Sequence, residues 1–116
     1  MSEAVRIQRD QGDRSVCLAL LRRADILEAM GSVDDALSDA REAHAAAERH
    51  GDANFSLGAL LWETLRMARL GKISTAALAN AVAEAEASGV TLRTITKKII
   101  ADAKRWIAAC SDTQEQ

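Results

Sequence analysis

Glycines punctuate this chain at a nearly fixed interval, and that interval restricts its fold more than any other feature. Gly12, Gly51 and Gly89 stand 39 and 38 residues apart, and Gly31 and Gly71, 40 apart, fall between them. Similar phrases run into these glycines: Glu3-Ala4 leads to Gly12-Asp13, Glu42-Ala43 to Gly51-Asp52, and Asn80-Ala81 to Gly89. A repeat of this length, with no proline and little clustering of β-branched residues, points to stacked helical hairpins. Glycine stops a helix because it alone enters the left-handed backbone region at little cost. Taking Gly12, Gly31, Gly51, Gly71 and Gly89 as stops predicts six helical segments, roughly 2–11, 15–30, 33–50, 54–70, 74–88 and 91–109. Ser32, with Asp34 and Asp35 in the following turn, and Ser74 and Thr91 are the expected helix starts. Links of a few residues make neighbouring helices antiparallel. No Pro/Gly/Ser linker divides residues 1–110, which therefore read as one domain followed by a polar tail, 111–116. The Met1 start and that tail lean towards a complete chain.

Apolar residues make up 48% of the 116, enough for a core, but aromatics supply only 3%. Alanine fills the gap, so the expected core is one of closely approaching helices rather than large side chains. In the second segment Val16, Leu20, Ala24 and Leu27 form one stripe, with Cys17 and Leu21 beside it. The third segment offers Ala36, Ala40, Ala43 and Ala47, and the fifth Ala76, Ala79, Ala83 and Ala87. The fourth differs. Phe55, Leu57, Leu60, Leu61, Trp62, Leu65, Met67 and Leu70 leave almost no polar face, as expected of a helix buried from several sides.

At this point the residues resemble a known family. Leu20, Ala24, Leu27, Gly31, Val33, Ala36, Ala40 and Ala43 are similar to the tetratricopeptide repeat signature, in which large and small apolar residues alternate on a first helix. A glycine turn and three small or aromatic positions on a second helix complete it. Leu60, Thr64, Met67, Gly71, Ile73, Ala76, Asn80 and Ala83 repeat the pattern, so that the resemblance covers about residues 17–88. The chain departs from the family in a period nearer 40 than 34, in Arg23 and Glu63 at an apolar signature position, in Thr64 and Asn80, and in lacking the closing proline. The resemblance implies an all-α, antiparallel helical-hairpin solenoid of about two full repeats plus flanking half-repeats. It also implies a concave groove lined by the first helix of each pair, here segments 15–30, 54–70 and 91–109. Leu18, Leu21, Asp25 and Glu28 are the groove candidates from segment 15–30, with Leu61, Leu65 and Arg69 from segment 54–70. The lysine and asparagine pattern that family members use to clamp a C-terminal carboxylate is absent from those positions. The groove expected here is apolar and suited to an amphipathic helix or a hydrophobic segment. Substituting Leu61 by Asp is accordingly expected to abolish partner binding and leave helicity intact.

Trp62 stands out beside Arg66 and Arg69. It reads either as packing between hairpins or as a contact residue, because Trp and Arg are enriched where binding energy concentrates. In the last segment Leu92, Ile95, Ile99, Ala103, Trp106, Ile107 and Cys110 share one arc, and Arg93, Lys97, Lys98, Lys104 and Arg105 the opposite one. Residues 91–110 carry a net charge of +4, while the whole chain carries −2. That basic face reads as the solvated side of a capping helix or as a docking surface for an acidic protein. The overall charge and the lack of aromatics interleaved with the basic residues argue against nucleic acid.

Little in the chain suggests chemistry. His44 and His50, six apart, fall on opposite sides of a helix and cannot share a metal as residues four apart can. His50 at a helix C-terminus suits the helix dipole. Asp34 and Asp35 sit where acids favour a helix start, and Gly12, Gly31, Gly51, Gly71 and Gly89 are taken up by turns rather than a phosphate loop. Cys17 and Cys110 are far apart and lack metal-ligand spacing. No catalytic residue, metal site or cofactor is expected. The N-terminus has no apolar stretch after its charges and no run approaches membrane-spanning length, so the expected location is the cytoplasm.

The functional expectation is a non-catalytic protein-interaction module, an adaptor or chaperone-like holder of a partner segment. Solenoid ends that expose a repeat face invite a second copy, so a homodimer is a further expectation. The alternatives are a regulatory module sensing a peptide or small ligand, and a self-assembling structural subunit.

Overall fold

The structure, a computed structural model, describes residues 15–115. The expected segment 2–11 and the Gly12 turn lie outside those residues. Five helices follow in order: α1 Ser15–Ala29, α2 Val33–Arg49, α3 Ala53–Arg69, α4 Thr75–Ala87 and α5 Thr94–Glu115. No strand occurs among the described residues, and the chain is all-helical there. No helix among them is long and apolar enough to cross a membrane.

The turns are built by local hydrogen bonding. At the end of α1, Ser32 N–H donates to the Leu27 carbonyl at 2.8 Å and Gly31 N–H to that of Glu28 at 3.0 Å, with Gly31 at φ +87°. This paired six-to-one and five-to-two closure satisfies carbonyls that the helix end leaves open, and it needs a residue with positive φ. The same two bonds recur around Gly51, from Asp52 to Ala47 and from Gly51 to Glu48. They recur again around Gly71, from Lys72 to Met67 and from Gly71 to Ala68. At Gly89 the pattern breaks: Ser88 N–H closes on the Ala85 carbonyl, and an extended stretch leads to α5.

The helix starts are less uniform than the sequence suggests. Ser74 caps α4, its Oγ accepting from Ala77 N–H at 3.1 Å. Ser32 precedes α2 but makes no side-chain cap. The cap of α3 is Asp52, whose Oδ1 accepts from Phe55 N–H at 3.1 Å. Thr91 caps nothing, because α5 begins at Thr94, and α5 continues to Glu115 where a polar tail was expected.

The chain divides into two units, Met1–Leu60 and Leu61–Gln116, with the boundary inside α3. In the first, α1 packs on α2. Ala24, Ala36, Ala40, Ala43, Ala46 and Ala47 are all buried, as are Val16, Cys17, Leu20 and Leu21. The alanine stripe of α2 thus lies inward as expected, and methyl-sized side chains let the two axes approach closely. An ion pair crosses between the two helices. Arg23 Nε and Nη2 donate to the Asp39 carboxylate, both at 2.5 Å. The charged residue at an apolar signature position is thereby accommodated: Asp39, buried on α2, is its partner.

In the second unit α4 packs on α5. Leu61, Trp62, Leu65 and Ala68 of α3, Leu78, Val82 and Ala85 of α4, and Thr96, Ile99, Ile100 and Ala103 of α5 are buried. Here the expected face of α4 is wrong. Ala76, Ala83 and Ala87 are exposed and Ala79 half-buried, because the helix turns Leu78 and Val82 inward. Burying two branched side chains removes more apolar area from water than burying a row of methyls, at about 25 cal/mol per Å². The consequence reaches the second copy of the signature. Its positions Leu60, Ala76, Asn80 and Ala83 are exposed, Leu60 by 43%, whereas Leu20, Ala24, Ala36, Ala40 and Ala43 are wholly buried. The letters repeat in register, but the buried face does not.

Candidate functional site

The groove candidates fall into two groups. Leu21, Leu61 and Leu65 are buried to within 1% of completeness, and Trp62 to within 2%. A side chain so enclosed has no surface to offer, so these four are core residues and the assignment of them to a groove is corrected. The physical reason is that α1 and α3 each carry more large apolar residues than one open face can hold. Leu18 and Glu28 are half-buried, and Asp25 and Arg69 exposed. Leu18, Asp25 and Glu28 lie along one side of α1, seven and three residues apart, close to two turns and one turn of helix. Arg66 is buried with its guanidinium 4.0 Å above the Trp62 ring centroid, which resolves the Trp62–Arg66 pair as an internal cation–π contact.

Arg93, just before α5, and Lys97, Lys98, Lys104 and Arg105 on it are all exposed, as their spacing predicts. Lys104 Nζ reaches Glu86 Oε2 of α4 at 2.8 Å, and Arg105 pairs with Asp102 one turn back. Such exposed pairs hold position more than they stabilise. The opposite arc is only partly closed. Ile99 and Ala103 are buried, but Leu92, Ile95, Trp106, Ile107 and Cys110 remain half-buried.

One of those residues opens a site that the arcs alone do not reveal. Trp106, Asp102, Arg105 and Ala109 of α5 and Arg69 at the end of α3 line a solvent-open cleft of about 290 Å³. The Arg69 Cζ stands 5.7 Å from the Trp106 ring centroid, within cation–π range. The Trp106 indole Nε1 is shielded from water and has no hydrogen-bond partner. Two guanidinium groups, one aromatic wall and one carboxylate thus meet in a space fit for one or two side chains. A sequence signal exists in retrospect: Asp102, Arg105, Trp106 and Ala109 follow the three-and-four spacing of one helix face. Nothing in the sequence ties Arg69 to them.

Elsewhere the chemistry is sparse. His44 Nε2 lies 3.3 Å from Glu48 Oε1, and His50 closes α2 through its backbone. Cys17 is buried, its Sγ 3.6 Å from the Ala43 carbonyl, and burial first, then the Asp52 charge, push its thiol above the ordinary range. No group of three or more His, Cys, Asp and Glu residues is placed to hold a metal ion among the described residues. No protein-family model matches the chain, and comparison with curated proteins and with solved structures gave no match.

Proposed function

We propose that this chain is a non-catalytic protein-interaction module, an adaptor or chaperone-like holder of one partner segment, built from hairpins similar to tetratricopeptide repeats. The observation that carries the reading is the same turn built three times at twenty-residue spacing, around Gly31, Gly51 and Gly71. A device that regular closes successive helices in the same way and leaves the helix faces to carry specificity. The first hairpin supports it further by burying the small signature positions of both its helices. Its accessible face, Leu18, Asp25 and Glu28 on α1, is the groove side under this reading.

The test is affinity capture of the tagged protein from its host's lysate, run beside a Leu18→Asp/Asp25→Lys double variant, with complexes sized by light scattering. A stoichiometric protein recovered by the first and lost from the second, while the far-ultraviolet circular dichroism stays unchanged, is the expected result. Recovery of nothing by either counts against the reading. Self-assembly is the second reading, and large apolar side chains left exposed among the described residues favour it: Ile26, Met30, Leu60 and Leu70. Light scattering that finds only copies of the chain in the captured material would shift the weight there.

A further inference from the structure

We infer that the cleft between Arg69 and the Asp102–Ala109 face of α5 is a docking site for an acidic peptide segment, in which a carboxylate sits between Arg69 and Arg105 and an adjacent apolar side chain covers Trp106. The inference rests on the reading of the chain as an interaction module and names the chemistry of one partner surface.

Charge selects the occupant. The lining presents two guanidinium groups, and the exposed side of α5 that continues from it adds Lys98. Lys98 stands seven residues before Arg105, two turns along nearly the same line of the helix. An anionic chain lying on this side is drawn in along its length, and a cationic one is repelled. Arginine adds geometry to charge, because its planar fork matches a carboxylate with two parallel hydrogen bonds. Arg105 keeps donors to spare after its bond to Asp102, and its side chain is 76% exposed.

Size and polarity select a peptide over a free anion. The cleft has one wall formed by an aromatic ring, half-buried and flanked by Arg69. An inorganic anion leaves that ring uncovered, whereas a glutamate or aspartate beside an apolar residue covers both parts. Trp106 therefore acts as the anchor and the two arginines as its polar rim, the arrangement in which interface energy concentrates. Asp102 opposes the incoming carboxylate twice: it shares Arg105, and it places a like charge in the lining. It selects against weakly held anions.

The experiment uses the full chain labelled with nitrogen-15. Trp62 and Trp106 give two indole N–H signals, and the one missing from Trp106→Phe is assigned to Trp106. An acetylated, amidated pentapeptide of alternating glutamate and leucine is titrated in, with the lysine–leucine counterpart and sodium acetate of equal carboxylate concentration as the other arms. The glutamate peptide is expected to shift the Trp106 indole saturably and leave that of buried Trp62 in place. Arg69→Gln and Arg105→Gln should each weaken binding about tenfold, Asp102→Asn should tighten it a few-fold, and Lys72→Gln, an equal loss of charge outside the cleft, should change it less than twofold. An unmoved Trp106 signal overturns the inference. So does an equal response to acetate or the lysine peptide, or a Lys72→Gln effect as large as that of Arg105→Gln. A partner captured through the α1 face and retained by the Arg69→Gln/Arg105→Gln variant, with no peptide binding, sinks this site and leaves the module reading standing. Failure of that capture sinks the module reading itself.

Discussion

Arg23 and Asp39 put a charged pair into the contact between α1 and α2, and removing one partner is a sharp test of how the first hairpin is held. The Asp39 side chain is 5% exposed and that of Arg23 32%, with two hydrogen bonds of 2.5 Å between them. Breaking a fully buried ion pair from one side costs about 3–5 kcal/mol, because the survivor keeps its desolvation cost and loses its compensation. Water reaches the Arg23 side here, so Arg23→Met should cost about 2–3 kcal/mol. The Arg23→Met/Asp39→Leu double variant removes both charges, and its cost should fall to within about 1 kcal/mol of the parent. Urea unfolding followed by circular dichroism at 222 nm measures all four corners of the cycle. The Asp39 bond, against an opposing desolvation effect, raises the already high Arg23 pKa. A raised folded pKa stabilises fully below the unfolded value and is lost only as pH rises through the folded one; both lie far above neutrality, so this guanidinium introduces no pH dependence between pH 5 and 9. If the two single losses simply add in the double variant, or Arg23→Met is silent, the pair does not hold the hairpin and the argument fails.

Three further outcomes are expected. Leu61→Asp should collapse the signal at 222 nm rather than silence a partner site, since it places an unpaired charge at a wholly buried position; retained helicity would return Leu61 to the groove. On α4, Val82→Asp should cost more than about 3 kcal/mol and Ala83→Asp less than about 0.5, because only Val82 faces inward; equal melting temperatures for the two variants would refute the observed face. The Cys17 thiol has a pKa raised chiefly by burial, so its contribution to stability is complete below the unfolded value and is lost as pH rises through the folded one. Between pH 8 and 10 the unfolding free energy of the parent, from urea curves, should therefore fall relative to that of Cys17→Ala, by at most about 1.4 kcal/mol per pH unit; parallel pH profiles would show that the thiol does not titrate differently on folding.

The turns and the helix spans were legible because their causes are local. A positive φ at Gly31, Gly51 and Gly71 and two backbone bonds around each are decided within six residues of chain. The basic face of α5 and the small inner face of α2 were legible for a related reason. Both helices separate polar from apolar residues into clear arcs, so only one orientation buries the right side. Helix α4 has no such separation. Ala76, Ala77, Ala79, Ala81, Ala83, Ala85 and Ala87 surround it with methyl groups. Letter matching to a repeat signature then chose the wrong side, because the signature weighs positions and the core weighs area. The start of α5 was missed for want of a cap: Thr91 has the right chemistry, but the helix opens three residues later.

What the sequence determined by itself was thus a string of helices, their stops and the sides of α2 and α5, since each follows from backbone preference and periodicity within one element. Only the tertiary structure decided that Leu78 and Val82 outrank the alanine stripe, that Trp62 is enclosed, and that Arg23 meets Asp39. It also decided that Arg69 meets Trp106 across 37 positions of chain. The physical reason is common to all four. Burial and pairing are set by what stands opposite a side chain, and where that neighbour belongs to another helix no spacing rule along one helix can reach it.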